Sequence, residues 1–343
     1  MQIRALLDWY QGAKRSFPWR TEESADPYRV WISEVMSQQS TMSQVLAYFE
    51  RWMASLPSLE ALACASSEQV LALWSGLGYY SRARNVHKSA KILASLPAIP
   101  SSSAQWRELP GIGPYTAAAI ASICFDEAIL PVDGNVIRVF SRLYKVTDPL
   151  NFGTDRRKIE SMVSKWAAKS APGQRGQLSQ ALMELGALVC RPRAALALCG
   201  FCPLKDSCQA HQSRQVADFP KPKRRKASVK VTLAAPIYRN SAGWVLVRKI
   251  SSNTKLLGQW ELPLLELPSA ALAQTLKEVF EVFGPVTHRI THHRYRAFGV
   301  EAGLWRGSPP PGHAFVTTKA ATKGKTLTTL CRKILSFKAD TTF

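Results

Sequence analysis

Long apolar runs are missing from this sequence of 343 residues. Its longest apolar stretches are broken by charged residues or proline, so none has the length of a membrane-spanning helix. The first residues also lack the basic-then-apolar order of a signal peptide. Both absences argue against a membrane or secreted protein, and we expect a soluble cytoplasmic protein with no membrane partner.

Acidic residues are also scarce, because 24 Asp and Glu stand against 45 Lys and Arg, which gives a formal net charge of +21. Such an excess predicts a polyanionic partner whose phosphates release counterions on binding. A basic surface that serves only solubility is the alternative.

Cysteine is infrequent, but four of the seven residues lie within 190–208. They are spaced Cys190-x8-Cys199-x2-Cys202-x5-Cys208. Without a secretory signal, this clustering indicates a metal site rather than disulfides. Four thiolates suit zinc, although zinc sites usually pair two short Cys-x2–4-Cys units and this segment has one.

A glycine-containing stretch, Leu109-Pro110-Gly111-Ile112-Gly113-Pro114-Tyr115-Thr116, lies between an apolar run and a helix of small residues. Gly111 and Gly113 predict a tight hairpin between two helices over 109–120. The unpaired backbone N–H groups at the start of the second helix could hold a phosphate. Further on, Asp133 opens another helix. A carboxylate at this position is either an N-cap or a catalytic group directed into a cleft. Asn135 is either a residue of the same site or a cap.

A helix is predicted to start near Pro27, with one buried face formed by Val30, Trp31, Val35 and Met36. Glu34 lies at the edge of that face. A carboxyl at such an edge is partly desolvated, which raises its pKa and suits it to donate a proton. An ordinary surface glutamate is the alternative.

The stretch Trp74-Ser75-Gly76-Leu77-Gly78-Tyr79-Tyr80-Ser81-Arg82 is a glycine turn that leads into a basic, aromatic helix start. Aromatic faces can stack on bases while arginines contact phosphates. Tyr79 and Tyr80 are therefore either a wedge for DNA or part of the core.

The hairpin at 109–120, followed by Val132-Asp133-Gly134-Asn135, resembles the helix-hairpin-helix plus Gly/Pro-Asp signature of the DNA glycosylase superfamily that contains endonuclease III and the MutY-type adenine glycosylases. The resemblance covers nearly the whole chain, more loosely after 229. It implies a multidomain fold with a mainly α-helical glycosylase domain over 1–211, including an iron–sulfur module at 190–208. A basic linker over 212–228 and a Nudix-like α+β domain over 229–343 would follow.

Ser33-Glu34-Val35-Met36-Ser37-Gln38-Gln39-Ser40 resembles the segment that carries the catalytic acid in this family, with Ser37 and Ser40 departing from the usual Leu and Thr. The resemblance implies that Glu34 protonates adenine while Asp133 stabilises the cationic sugar. Tyr115 and Asn135 would orient the two carboxyls. Bifunctional relatives have a nucleophilic lysine where Tyr115 stands, so we expect a monofunctional enzyme that uses water.

Further roles follow from the same resemblance. Arg20 and Gln180 would line the adenine pocket. Gln38 and Gln39 match the family pattern, and Gln39 would enter the base stack when adenine is flipped. Tyr79 would be the wedge. The four cysteines from Cys190 to Cys208 would hold a [4Fe-4S] cluster, in a segment whose first interval is two residues longer than usual. A monovalent cation is implied at the helix-hairpin-helix.

After residue 229 the apolar pattern changes to strands, and a helix is predicted over 270–283. Residues 256–263 resemble a stretch of the Nudix-like domain of MutY-type enzymes. Val282 replaces a metal-binding glutamate of true Nudix hydrolases, so this domain would recognise 8-oxoguanine rather than catalyse a second reaction. Thr291 and His292, within Ile290-Thr291-His292-His293, would form the reading element.

The resulting hypothesis is a monomeric, nucleoid-associated repair enzyme of bacterial type. It would release adenine opposite 8-oxoguanine or guanine in double-stranded DNA. A pyrimidine-damage glycosylase with lyase activity and a non-catalytic iron–sulfur DNA-binding protein are the two alternatives.

Overall fold

Contacts within the chain divide it into two units, Met1–Lys223 and Arg224–Phe343. A computed structural model describes residues 1–20, 25–147, 154–221, 228–251, 259–268, 270–290, 293–317 and 327–339. Among these residues, none of the helices is both long and apolar enough to cross a membrane.

The described residues of the first unit form mainly α-helices. They are α1 (Gln2–Ala13), α2 (Pro27–Ser37), α3 (Met42–Ser55), α4 (Leu59–Cys64), α5 (Ser67–Leu73), α6 (Ser81–Ala94), α7 (Ser103–Arg107), α8 (Pro114–Phe125), α9 (Gly134–Tyr144), α10 (Thr154–Lys169), α11 (Arg175–Glu184) and α12 (Gln209–Gln212). A single π-helical turn, Leu185–Val189, continues α11 towards the cysteine segment.

Two apolar clusters support this unit. The first is formed by residues between 17 and 120 and contains the fully buried rings of Trp31, Trp52 and Trp74. The second combines α1 with residues 130–204, so the N-terminal helix packs with the later part of the chain. Glu34 therefore belongs to an element of the first cluster and Asp133 precedes an element of the second.

The hairpin predicted at 109–120 is present between α7 and α8. Gly111 has a φ of +79°, and a Cβ added there would lie 2.6 Å from Cβ of Asn85. Both the left-handed conformation and the lack of space require glycine at this position. Gly113 has an extended backbone and is the N-cap of α8, with Pro114 in the first turn and no side-chain cap.

The described residues of the second unit form a mixed β-sheet with two helices. Its strands are β1 (Val229–Arg239), β2 (Val245–Lys249), β3 (Trp260–Glu261), β4 (Leu265–Leu267), β5 (Val282–Ile290), β6 (His293–Leu304) and β7 (His313–Val316), and its helices are α13 (Ala270–Val279) and α14 (Thr329–Ala339). The sheet order is β3-β2-β1-β6-β5, with β4 beside β1 and β7 beside β2. The central pair, β1 and β6, is parallel.

The helix predicted over 270–283 is too long, because α13 ends at Val279 and β5 begins at Val282. Val282 pairs with Val300, and Phe283 pairs with Gly299, whose missing side chain leaves room for the phenyl ring. Pairing with β6 therefore overrides the helical spacing of the apolar residues in this stretch.

The architecture agrees with the predicted combination of a helical helix-hairpin-helix domain and an α+β domain of the Nudix-like kind. Within the proposed linker, residues up to 221 pack on the first unit, because Phe219 is buried and its carbonyl accepts a hydrogen bond from Arg142. Residues 222–227 lie outside the described part.

Candidate active site

Glu34 lies in the third turn of α2, as the apolar spacing predicted. Asp26 caps this helix by accepting a hydrogen bond from the Tyr28 N–H at 2.8 Å, and Pro27 starts its first turn. Burial raises the pKa of Glu34 to about 7, and the nearby Asp133 charge adds to this effect. A hydrogen bond with Tyr115 and the charge of Arg20 act in the opposite direction. Glu34 can therefore hold a proton near neutral pH.

Asp133 is both the N-cap of α9 and a neighbour of Glu34. Its Oδ1 accepts from the Val136 N–H and its Oδ2 accepts from the Asn135 amide, each at 2.8 Å. Burial raises the pKa of Asp133, while these hydrogen bonds favour its ionised form. The two interpretations of Asp133, as an N-cap and as a group directed into the site, are therefore compatible, because the capping carboxylate also lies near Glu34.

Tyr115 comes from the start of α8 and completes the group. Burial, followed by the charges of Glu34 and Asp133, raises the pKa of its hydroxyl well above the ordinary value. The hydroxyl also contacts Sδ of Met183 at 3.2 Å. The structure thus brings together three predicted residues from different helices, namely Glu34 from the third turn of α2, Tyr115 from the first turn of α8 and Asp133 from the N-cap of α9.

A cavity of about 400 Å³ opens beside Glu34 and has both polar and aromatic walls. Its lining residues are Tyr10, Gln11, Lys14, Arg15, Ser16, Trp19, Arg20, Ala25, Val30, Glu34, Ile123, Gln177, Gln180 and Met183. Arg20 and Gln180 were predicted to line one pocket with Glu34, and all three lie in this cavity. The carbonyl of the Gln180 side chain accepts a hydrogen bond from the Tyr10 hydroxyl at 3.1 Å.

Glu184 is a site residue that the sequence analysis missed. Its side chain is buried and accepts from Arg20 at 2.7 Å and from Arg15 at 2.9 Å. Glu184 follows Gln180 by four positions on α11, so both project from one helix face. The spacing of four positions from Gln180, which the sequence analysis placed in the adenine pocket, could have indicated that Glu184 also belongs to the site.

Arg138, in the second turn of α9, is another residue that the sequence did not identify. Its guanidinium donates to Oδ1 of Asn135, to the Gly186 carbonyl and to the Cys190 carbonyl, each at 2.7 Å. Since Asn135 in turn donates to Asp133, a continuous set of hydrogen bonds runs from the Asp133 carboxylate to the cysteine segment.

The four clustered cysteines line one small cavity together with Arg142 and apolar side chains. Burial raises the pKa of Cys202 to about 12 and also raises the pKa values of Cys199 and Cys208. The Arg142 guanidinium donates to Sγ of Cys190 at 3.3 Å. In the part of the chain that the structure describes, no three His, Cys, Asp or Glu side chains approach closely enough to bind a single metal ion.

Two predicted DNA-insertion residues are in strained backbone conformations. Gln39 has a φ of +63° and is exposed, and Tyr79 has a φ of +48° with 45% of its surface exposed. Tyr80, in contrast, is buried in the first cluster. Gln38 lies beside the hairpin helix, where its amide contacts the Thr116 hydroxyl at 3.4 Å.

Arg82 connects the segments that carry Gln39 and Tyr79. One terminal nitrogen donates to the carbonyls of Val35, Met36 and Gln38 at 2.7, 3.2 and 2.7 Å. The other donates to Leu77 and Gly78 at 3.2 and 3.3 Å. A single guanidinium therefore fixes the end of α2 against the glycine turn.

Of the predicted reading element, Thr291 and His292 lie outside the described residues. The flanking residues Ile290 and His293 pair at the end of the β5–β6 hairpin.

Residues 32–168 match the model of the HhH-GPD superfamily of base excision DNA repair proteins. The chain is 32% identical to the adenine DNA glycosylase of Buchnera aphidicola subsp. Acyrthosiphon pisum over 255 residues, which covers 72% of this chain and 67% of that protein. It is 43% identical to the adenine DNA glycosylase of Rattus norvegicus over 224 residues, or 61% of this chain and 41% of the rat protein.

The adenine DNA glycosylase of Arabidopsis thaliana is 34% identical over 317 residues, or 81% of this chain and 49% of that protein. The matches thus span about half the length of several curated relatives. Among solved structures, a thermostable thymine-DNA glycosylase superposes with a TM-score of 0.54 at 21% identity, covering 62% of this chain and 95% of the other. That likeness describes the fold alone.

Proposed function

Because this chain belongs to the adenine DNA glycosylase family, we propose that it hydrolyses the N-glycosidic bond of adenine mispaired with 8-oxoguanine or guanine in duplex DNA. The observation that carries this proposal is the position of Glu34, whose pKa is about 7, in a cavity that also contains Arg20 and Gln180. A carboxyl that is protonated near neutral pH can protonate a poor leaving group.

In the proposed reaction, Glu34 donates its proton to the flipped adenine as the bond to the sugar breaks. Asp133 stabilises the positive charge that grows on the sugar, and its hydrogen bonds from Val136 and Asn135 keep it oriented. Water then attacks the sugar. With Tyr115 in place of a lysine, the protein has no amine there to form a Schiff base, so the strand stays intact.

We further infer that Cys190, Cys199, Cys202 and Cys208 hold a [4Fe-4S] cluster. Support comes from their common cavity, its apolar walls and the cationic Arg142 at one sulfur, which suit a group of four thiolates. When bound, the cluster would tie this loop-rich segment together through four sulfur ligands. Cys199→Ser should lower the iron content and the visible absorbance, whereas Cys64→Ser, at an exposed cysteine outside the segment, should leave both unchanged.

The partner we propose is double-stranded DNA that contains one of these mispairs, and the protein would act as a cytoplasmic monomer. The excess of basic residues supports a polyanionic partner. Recognition of 8-oxoguanine by the second unit, through Thr291 and His292, is part of the same proposal.

The direct test is single-turnover cleavage of a duplex with adenine opposite 8-oxoguanine, with and without alkali. We expect adenine release, strand breaks only after alkali, and a loss of at least about 100-fold in Glu34→Gln. Strand breaks without alkali would favour the lyase alternative. Absence of adenine release by folded, iron-loaded protein would reject the proposed activity and favour a DNA-binding role.

A further inference from the structure

Three basic residues lie side by side across the second unit's sheet. Lys230 on β1 pairs with Arg294 on β6, and Arg294 pairs with Arg289 on β5. Paired residues of neighbouring strands project from the same face, with Cβ atoms about 5 Å apart. All three are exposed, so they form a row of positive charge across the sheet.

A fourth cation extends this row along β6. Arg296 follows Arg294 by two positions, so it projects from the same face about 7 Å further along the strand. Arg296 is exposed, and its guanidinium lies 5.3 Å from the centre of the Phe298 ring. Its cross-strand neighbours are Thr232 and Thr287, which are uncharged. We call Lys230, Arg289, Arg294 and Arg296 the cationic sheet face.

The opposite face of the same strands packs into the core of the unit. Leu233, Val286 and Ala297 are buried there with residues of α14. Glu266 pairs with Leu233 and so lies on the core side of the register. The cationic sheet face lies on the other side of these strands. Further along that side of β6, Phe298 and Val300 are buried, so the exposed part is the end of the sheet that holds the four cations.

Three of the four cations on this face have no ion-pair partner within the described residues. No ion pair there involves Lys230, Arg294 or Arg296, whereas the sheet carboxylates Glu301 and Glu261 are paired with Arg239 and Arg248. Like charges directly opposite one another on neighbouring strands are destabilising. An external polyanion would offset that repulsion, and guanidinium groups bind phosphate oxygens in a bidentate manner.

We propose that the cationic sheet face binds the phosphate backbone of duplex DNA, independently of any base that the second unit reads. This inference rests on the proposed function, since it takes DNA as the partner. Each strand of a duplex has a phosphate about every 3.4 Å of axis. Residues about 5 and 7 Å apart on one side of a sheet can therefore contact several phosphates at once.

The test is the salt dependence of binding by the full chain to a labelled duplex, with and without the mispair. In the double variant Arg294→Ala/Arg296→Ala, removal of two phosphate contacts should reduce the slope of log affinity against log salt by about 1.8, or about 0.9 per contact. Between 50 and 200 mM salt, wild type should therefore lose about 12-fold more affinity than the variant. Both duplexes should show the same change.

Two further variants keep the result interpretable. Lys249→Ala/Arg306→Ala removes two exposed cations from other parts of the unit and should leave the slope unchanged. Arg294→Lys/Arg296→Lys retains the charge and should restore most of the slope. An unchanged slope in the folded Ala variant, or an equal reduction in the Lys249 and Arg306 control, would overturn the proposal.

The binding measurement requires no catalysis, so its failure is distinguishable from failure of the proposed function. If wild type releases no adenine but the slope still falls, the activity is rejected and the cationic sheet face stands. If the slope for DNA is unchanged while binding to phosphatidylglycerol vesicles is lost, the face contacts a lipid surface and the inference is rejected.

Discussion

Arg20 and Glu184 form an ion pair with an N–O distance of 2.7 Å although they are 164 positions apart in the sequence. Only 1% of the Glu184 side chain and 18% of the Arg20 side chain are exposed. The pair therefore fixes a guanidinium in the wall of the cavity that contains Glu34.

Replacing Glu184 with Ala should destabilise the protein and misplace Arg20. Loss of one partner leaves buried charge unpaired, which costs about 3 kcal/mol in the free energy of unfolding. Adenine release should also become slower and require more enzyme for saturation. Chemical unfolding and single-turnover kinetics check both effects. Asp8→Ala, which breaks an exposed pair with Arg4, is the control and should change neither quantity appreciably.

The sequence was sufficient to predict α2, the hairpin and the partial burial of Glu34, because these depend on local spacing and on turn chemistry. It could not show that Arg15, Arg20 and Glu184 meet, since their contact depends on α1 packing against α11. It also could not separate Tyr79 from Tyr80, whose different exposure follows from the backbone of the glycine turn.

The second unit was harder to predict from sequence for the same reason. The apolar residues near 280 suit either a helix or a strand by spacing alone. The pairing of Phe283 with Gly299 decides between them, and that contact joins two segments that are separated in the sequence.

Adenine release should lose rate as pH rises above about 7. Glu34 acts as a proton donor only in its protonated form, and its pKa is about 7. At higher pH the rate should therefore fall about tenfold per pH unit. A single-turnover pH profile measures this directly. If the rate stays constant from pH 6 to pH 9, Glu34 is not the acid in the rate-limiting step.

Glu34→Gln should stabilise the protein at alkaline pH. The pKa of Glu34 is raised from 4.5 when unfolded to about 7 when folded, so the native state binds more protons between these values. The free energy of unfolding therefore falls as pH rises from 4.5 through about 7. At ~1.36 kcal/mol per pKa unit, the cost above pH 7 approaches about 3 kcal/mol.

Glutamine avoids this cost, so unfolding at pH 8 should require more denaturant for Glu34→Gln than for wild type, with the difference shrinking towards pH 4.5. Glu50→Gln, at an exposed position of α3, provides the comparison. An equal effect of both substitutions at pH 8 would argue against a buried, raised-pKa carboxyl at position 34.

Arg82→Ala should weaken base flipping more than DNA binding. Without the guanidinium, the end of α2 and the glycine turn lose five hydrogen bonds, and the strained residues Gln39 and Tyr79 lose their support. With 2-aminopurine in place of adenine, the fluorescence increase that accompanies base flipping should be about tenfold lower. A change of this size corresponds to the loss of one or two hydrogen bonds.

Arg82→Lys retains the charge but cannot reach both sets of carbonyls, so it should restore little of the signal. Lys91→Ala removes an exposed cation from the same helix and serves as the control. A normal fluorescence increase in Arg82→Ala would show that the two segments keep their geometry without it.

The parallel pairing of β1 with β6 has a consequence for the order in which the molecule assembles. Val229 lies opposite His293 and Arg239 lies opposite Leu304, so the middle of the sheet cannot close until more than sixty further residues have left the ribosome. Such distant pairings slow folding, whereas helical domains rich in neighbouring contacts fold quickly. The helical unit, synthesised first, should therefore be native while the sheet is still incomplete.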